Sequence, residues 1–155
     1  MNSKKHTTKV QEIIQQSAQF ALENGQQAIE TGHVLQTLLK DDSKTIEYLL
    51  KNMEVDAKIL ETEIAKIVEK YPKVSGGEPY FGNKMASCLI KSESLAKEIG
   101  DEFVSMEVLF LSLVSAGDET ETLLKKLGVT VQKVKNSLIN LRGNQKVLDL
   151  SRAMG

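Results

Sequence analysis

The chain of 155 residues is 41% hydrophobic and 26% charged, a composition that fits one globular domain and excludes a disordered chain. Twenty basic and twenty-one acidic side chains leave a net charge of −1, so the chain lacks the long-range attraction to phosphate that nucleic-acid-binding proteins use. No apolar stretch approaches the ~20 residues that span a bilayer, and no secretory signal follows the charged start. The lone cysteine excludes an internal disulfide, and we expect a cytoplasmic protein that binds neither nucleic acid nor membrane.

Apolar residues at helical spacing predict four helices in the first seventy residues. The first begins at a capping box formed by Thr8 and Gln11 and stops at Gly25. The fourth ends at Tyr71, because a proline follows. The second, third and fourth helices each follow a side chain suited to capping: Thr31, Ser43 and Asp56.

Residues 71–83 read YPKVSGGEPYFGN and contain both prolines of the chain, so no helix passes through them. Beyond this connector the four-helix pattern returns, and a shift of 75 residues aligns the second half with the first. The aligned pairs include Val10 with Met85, Ser17 with Ser92, Gly25 with Gly100 and, after one residue is omitted in a loop, Leu50 with Leu124.

This duplication predicts an all-α fold of eight short helices, arranged as two pseudo-twofold-related four-helix repeats. Each repeat alone is too small to bury a sufficient hydrophobic core, so we expect the two repeats to share one core. We assign residues 1–145 to this domain, with repeat one at 7–70, the connector at 71–83 and repeat two at 84–142. Residues 146–155 form a separate tail.

The segment GDEFVSMEVLF in the second repeat places acids directly beside a long apolar run. If Ser105 caps the helix, Glu107 occupies its second position, where the helix dipole favours a carboxylate. The first repeat has Gln26 where the second has Asp101, and Gly32 where the second has Glu107. The two repeats therefore share a scaffold, while the second alone carries these acids.

No motif for nucleotide binding or covalent catalysis occurs in the chain, and the two histidines lack the spacing of a zinc site. We interpret His33 as a packing or capping residue and Cys88 as a small core side chain. Met53 and Met85 stand at core spacing, whereas Met106 precedes the apolar run of its helix and is expected to be partly exposed.

Two long stretches and the connector resemble a known family. TTKVQEIIQQSAQFALENGQQAIETGHVLQTLL in the first repeat and AKEIGDEFVSMEVLFLSLV in the second are similar to the amino-terminal domain of Clp-type AAA+ unfoldases. The connector YPKVSGGEPYF and the end LRGNQKV resemble the ClpB disaggregase branch. The resemblance covers Thr7 to about Val147 and makes the tail the possible start of a linker to an ATPase module absent from this chain.

The resemblance implies a mobile, non-catalytic domain that captures unfolded or aggregated polypeptide and passes it to a hexameric, ATP-driven pore. It implies no cofactor in this domain, with ATP and Mg in the parent protein. In the family a threonine and an acidic pair are associated with substrate engagement, and these positions match Thr7, Asp101 and Glu107. Leu95 and Val108 would approach an apolar groove between the repeats. The isolated domain is expected to be a monomer, because a groove and not a broad apolar face is its best interaction surface.

Other functions are also compatible with the sequence. The domain could dock a dedicated adaptor or assembly, as the amino-terminal domains of ClpA and ClpC types or of the type VI secretion ATPase do. A free-standing helical enzyme is disfavoured by the missing motifs, and DNA binding is disfavoured by the neutral charge.

Overall fold

The computed structural model describes residues 3–74 and 76–143. Within these residues the chain folds into eight α-helices, with a 3₁₀ turn at Ser3–Lys5 and one pair of very short strands. The helices are α1 (Thr8–Glu23), α2 (Thr31–Lys40), α3 (Thr45–Asn52), α4 (Ala57–Glu69), α5 (Asn83–Glu98), α6 (Met106–Val114), α7 (Glu119–Lys126) and α8 (Val131–Arg142). The all-α prediction is thereby confirmed, and the predicted tail at 146–155 lies outside the described residues.

Helix starts agree with the predictions at some positions and are displaced at others. Asp56 caps α4 as predicted, through its carboxylate and the Lys58 amide at 2.9 Å. The cap of α1 is Thr7 and not Thr8, with Thr7 Oγ1 accepting from the Val10 amide at 3.2 Å. The predicted caps at Thr31 and Ser43 were also wrong, because Glu30 and Lys44 occupy the N-cap positions of α2 and α3.

The ends of α1 and α5 show the internal repeat in the backbone. Gly25 and Gly100 both adopt positive φ, +71° and +88°. The amide after each glycine donates to the carbonyl five residues earlier, at 2.8 Å in both repeats. This hydrogen bond closes the helix in a left-handed turn that glycine enters without steric cost. The alignment of Gly25 with Gly100 therefore reflects the same helix stop.

The core of the protein is built around α6, which contacts α1, α2, α3, α5, α7 and α8. All nine of its residues are buried, so every face of the helix is covered. Met106 is fully buried, and its predicted partial exposure was wrong for this reason. Met85 is also buried, while Met53 is partly buried against the core.

The connector contributes a feature that helical periodicity does not predict. Tyr80–Phe81 (β2) pairs in parallel with Ala28–Ile29 (β1), between α1 and α2. Hydrogen bonds from Tyr80 and Gly82 amides to the first-repeat backbone fix this register at 3.2 and 3.0 Å. The strands have two residues each, too few for side-chain alternation to reveal them.

Cys88 lies in the core, where burial raises the pKa of its thiol to about 11. At pH 8 its thiolate fraction is then roughly 200-fold smaller than that of an ordinary cysteine. We expect an aromatic disulfide reagent to leave the native protein unmodified over minutes and to react at once in denaturant. Rapid labelling of the folded protein would contradict the buried position.

Candidate functional site

The loop before α6 and the end of α8 form a buried cluster of charged side chains. Arg142 is the last residue of α8, and its Nη1 donates to both carboxylate oxygens of Asp101 at 3.0 and 2.8 Å. Its Nε donates to Oε2 of Glu107 at 3.2 Å, and its Nη2 donates to Oγ of Ser105 at 3.0 Å. We call Asp101, Ser105, Glu107 and Arg142 the arginine cluster.

The arginine cluster is almost completely removed from solvent. The side chains of Asp101 and Glu107 are 0% exposed and that of Arg142 is 5% exposed. Oε1 of Glu107 is buried without a hydrogen-bond partner among the described residues. Burial raises the pKa of Glu107, and the positive charge of Arg142 opposes this effect only in part. One arginine is thus shared by two carboxyl groups in a low-dielectric setting.

Backbone hydrogen bonds place Thr7 beside the segment that carries Asp101 and Glu107, three of the five predicted site residues. The Thr7 amide donates to the Val104 carbonyl at 3.0 Å, and the Val104 amide donates to the Lys5 carbonyl at 2.7 Å. This pairing lays the amino-terminal segment beside the loop that carries Asp101 and leads to Glu107. Thr7 itself is buried and uses its hydroxyl as the cap of α1.

The remaining predicted residues lie at different depths. Val108 is fully buried in α6, so it supports the core and does not line a groove. Leu95 is partly buried on α5. Asp101 forms part of the wall of a surface cavity of about 390 Å³, together with Lys5, Lys97 and Glu102. Of the five, only Leu95 is partly exposed, and the carboxylate of Asp101 is covered by Arg142.

Arg142 was not identified from the sequence, although one signal pointed toward it. The two acids have no counterpart in the first repeat, and a buried acid needs a cation. A shift of 74 residues places Arg142 opposite Val68, the corresponding point at the end of α4. The asymmetry in acids is thus matched by an asymmetry in the fourth helix.

The first repeat fills the equivalent position with uncharged groups. Gln26, the counterpart of Asp101, donates from Nε2 to the Val68 carbonyl at 2.7 Å. Its Oε1 lies 2.7 Å from Nε2 of His33. In both repeats, side-chain contacts therefore join the start of the second helix to the end of the fourth helix. These contacts are neutral hydrogen bonds in repeat one and ion pairs in repeat two.

Gly32, the counterpart of Glu107, is required by close packing. Its amide donates to the hydroxyl of Tyr71 at 3.2 Å. A Cβ added at Gly32 would lie 2.6 Å from that hydroxyl, closer than real Cβ contacts allow. Tyr71 thus occupies the space in repeat one, and position 107 holds a glutamate in the other repeat.

His33 is confirmed as a packing and capping residue. Its Nδ1 accepts from the Glu30 amide at 2.9 Å, so in the neutral ring Nε2 carries the proton and donates to Gln26. Phe20 and Tyr71 pack on the ring at centroid distances of 5.7 and 5.2 Å. Burial lowers the pKa of His33 to about 4, which keeps it neutral near pH 7.

A larger concave surface lies between the repeats, away from the predicted residues. Its volume is about 820 Å³, and its walls include Tyr48, Val55 and Ala57 of repeat one and Leu141 of α8. None of the five predicted residues lines it. Lys91, one turn before Leu95 on α5, donates to the Ser115 carbonyl at the end of α6.

Neither a metal centre nor a membrane span is found in residues 3–74 and 76–143. No three histidine, cysteine, aspartate or glutamate side chains come together there in a way that could hold a metal ion. The helices of the same residues are too short or too polar to cross a bilayer.

Comparisons with known proteins agree with this architecture. Residues 5–127 match the family model described as the Clp repeat (R) N-terminal domain. The chaperone protein ClpB of Bacteroides thetaiotaomicron is 34% identical over 151 residues, and that of Porphyromonas gingivalis is 33% identical over the same length. Each alignment covers 97% of this chain and 18% of the relative, so the chain spans about a fifth of the length of these proteins.

Solved structures show the same fold at lower identity. The Hsp104 N-terminal domain from Candida albicans superposes with a TM-score of 0.83 at 19% identity, covering 96% of this chain and 97% of that one. The N-domain of ClpV from Vibrio cholerae gives 0.76 at 16% identity, covering 91% and 87%. With the family model matched over most of the chain and ClpB relatives above 30% identity, the chain belongs to the Clp N-terminal domain family.

Proposed function

We propose that the chain is the non-catalytic, polypeptide-binding amino-terminal domain of a ClpB-type chaperone. The observation that carries this proposal is the similarity of nearly the whole chain to one end of ClpB proteins, of which it spans 18%. The remaining length of such a parent would supply ATP- and Mg-dependent modules and the hexamer. The lone, buried Cys88 fits a reducing, cytoplasmic compartment.

The proposed binding site lies around the cavity beside the arginine cluster. Asp101, whose carboxylate is covered by Arg142, would accept hydrogen bonds from basic side chains or backbone amides of an unfolded client after a local rearrangement. Leu95 would contact the client's apolar side chains. Thr7, Glu107 and Val108 are buried and would hold the shape of this surface, and Glu107 would be reached only after the same rearrangement. Unfolded chains carry both apolar and donor groups everywhere, so the site favours weak and tolerant binding.

Leu95→Ser is expected to weaken binding of an unfolded client about fivefold, because the client loses an apolar contact. The measurement is fluorescence anisotropy with a labelled protein whose disulfides have been reduced and alkylated. Ile90→Ser is the matched control, since Ile90 lies on the same helix and is 71% exposed. Equal affinities for the two variants, both shown to be folded, would remove Leu95 from the site.

A second candidate function is docking of one defined adaptor or peptide. The solved complex of a ClpV N-domain with a VipB peptide has this fold, with a TM-score of 0.74 at 16% identity. The 820 Å³ surface between the repeats is an alternative place for such a peptide in this chain. Selective binding of a single folded partner, without affinity for varied unfolded chains, would favour docking. In either case we expect the isolated chain to be a monomer.

A further inference from the structure

We propose that Asp101, Ser105 and Glu107 form a guanidinium-binding site which the chain's own Arg142 fills, and which an arginine of a client enters when the end of α8 withdraws. The part concerning clients rests on the proposed function. The part concerning the site rests on the geometry of the arginine cluster alone.

The acceptors of this site come from one continuous segment and the arginine from another. Asp101 follows the glycine turn that ends α5, and its amide is fixed to the Ala96 carbonyl at 2.8 Å. Ser105 caps α6 by accepting from the Val108 amide at 3.3 Å. Because neither contact involves α8, the Asp101 backbone and the Ser105 hydroxyl can keep their positions when Arg142 is absent. Glu107 is placed by the buried helix α6.

The acceptors match the forked shape of a guanidinium group. Asp101 takes two hydrogen bonds from one nitrogen of Arg142, while Ser105 and Glu107 take the other two nitrogens. Lysine presents a single ammonium point and fits such an arrangement less well. Oε1 of Glu107 still lacks a partner, so a guanidinium without the tether of α8 has one more acceptor available.

The last turn of α8 is held by the contacts of Arg142 and by Leu141, which packs partly buried against the core. Upstream, Ser137 donates to Asn52 at 3.0 Å and Leu138 is buried, which anchors the body of the helix to repeat one. Beyond these residues Ile139 is 64% exposed, and Gly143 at φ +62° ends the helix. Unwinding of one turn would therefore release Arg142 together with the partly buried Leu141, while Ser137 and Leu138 stay in place and the repeats remain together.

A surface cavity adjoins the site. Asp101 forms part of the wall of the 390 Å³ cavity, whose rim also carries the acids Glu93 and Glu102. Lys5 and Lys97 lie on the same rim and balance these two acids, so the rim does not repel an incoming cation. Once Arg142 has withdrawn, a side chain arriving through this cavity would meet Asp101 first, since Arg142 covers that carboxylate in this structure.

The test is chemical rescue of Arg142→Ala in the full chain. Guanidinium chloride at low millimolar concentrations, far below denaturing levels, is expected to raise the Tm of this variant relative to the same concentration of sodium chloride. At a guanidinium concentration of about ten times its Kd, the Tm of the variant should rise by about 4 °C. Nα-acetyl-arginine amide should act in the same way and Nα-acetyl-lysine amide much less.

Lys135→Ala is the matched control, because Lys135 lies on the same helix and forms a 3.6 Å ion pair with exposed Glu98. Neither this variant nor the unmodified chain should gain stability from guanidinium, since Arg142 fills their site. Equal responses of Arg142→Ala and Lys135→Ala would overturn the proposal. Should Arg142→Ala fail to fold, Arg142→Gln, which retains a donor near Asp101, is measured against the same expectations.

Affinity measurements separate the site from the proposed function. An unfolded peptide containing arginine should bind Arg142→Ala about tenfold more tightly than the unmodified chain, and lose this gain when citrulline replaces arginine. Rescue by guanidinium without binding of any unfolded peptide would contradict the proposed function and leave the site standing. Binding of peptides by the unmodified chain without rescue would overturn the site and leave the proposed function standing.

Discussion

Arg142→Ala is expected to lower the free energy of unfolding by about 3–5 kcal/mol, because it leaves the carboxyl groups of Asp101 and Glu107 buried without their cation. The measurement is equilibrium denaturation by urea. Lys135→Ala, on the same helix as Arg142, removes an ion pair with exposed Glu98 of α5 and should cost less than about 1 kcal/mol. Similar losses for the two variants would show that Arg142 is not buried against the acids.

A neutral version of the arginine cluster distinguishes loss of charge pairing from loss of packing. The triple variant Asp101→Asn, Glu107→Gln, Arg142→Met should recover most of the stability lost by Arg142→Ala, because it leaves no charge unpaired in the interior. If the triple variant is as unstable as Arg142→Ala, the packing of the arginine side chain, and not its charge, holds α8.

Acidification is expected to destabilise the protein through His33 by up to about 3 kcal/mol. The pKa of His33 is about 4 in the folded protein and near 6.5 in the unfolded chain, so between these values the unfolded state binds the additional proton. Stability from this group is therefore present above pH 6.5 and is lost as the pH falls toward 4. Protonation of Nδ1 would also break its acceptance of the Glu30 amide.

The contribution of His33 is isolated by comparing pH profiles of the free energy of unfolding for the unmodified chain and for His33→Gln. The difference between them should shrink as the pH falls from 6.5 to 4. A direct check is the NMR titration of the imidazole, which should give a pKa of about 4. A pKa near 6.5 would contradict a buried His33 ring that is hydrogen-bonded through both nitrogens.

The helices and the repeat were predictable because their signals are local. Apolar spacing locates each helix, and Gly25 and Gly100 mark identical stops. The cap of α1 was displaced by one residue because two threonines stand side by side, and pairing of the Thr7 amide with the distant Val104 carbonyl accompanies the choice of Thr7. Contacts of this kind have no local signature.

The candidate site was predictable only in part, for a related reason. Comparing the repeats singled out Asp101 and Glu107, but their partner Arg142 lies 41 and 35 residues further along the chain. Its contact depends on how α8 packs against α6, which apolar spacing does not reveal. The exposure of Met106 was mispredicted similarly, since the burial of α6 on all faces arises from six neighbouring helices.

Asp101 and Glu107 of the second repeat thus have a structural role that could not be predicted by aligning the two repeats. They replace the neutral contacts of Gln26 and Gly32 with ion pairs to the end of α8. In the proposed function the same acids also receive basic groups of a client, so holding α8 and binding the client compete for one set of oxygens. That competition would keep affinity modest and release easy.

The most direct test of this account is a chemical-shift titration of the ¹⁵N-labelled chain with a permanently unfolded client. We expect saturable shifts that concentrate on Lys5 to Thr7, on Leu95 and on the loop from Gly100 to Glu107, together with a response of the Arg142 side-chain Nε–H. An absence of shifts at saturating client, or shifts confined to the surface around Tyr48 and Leu141, would contradict it.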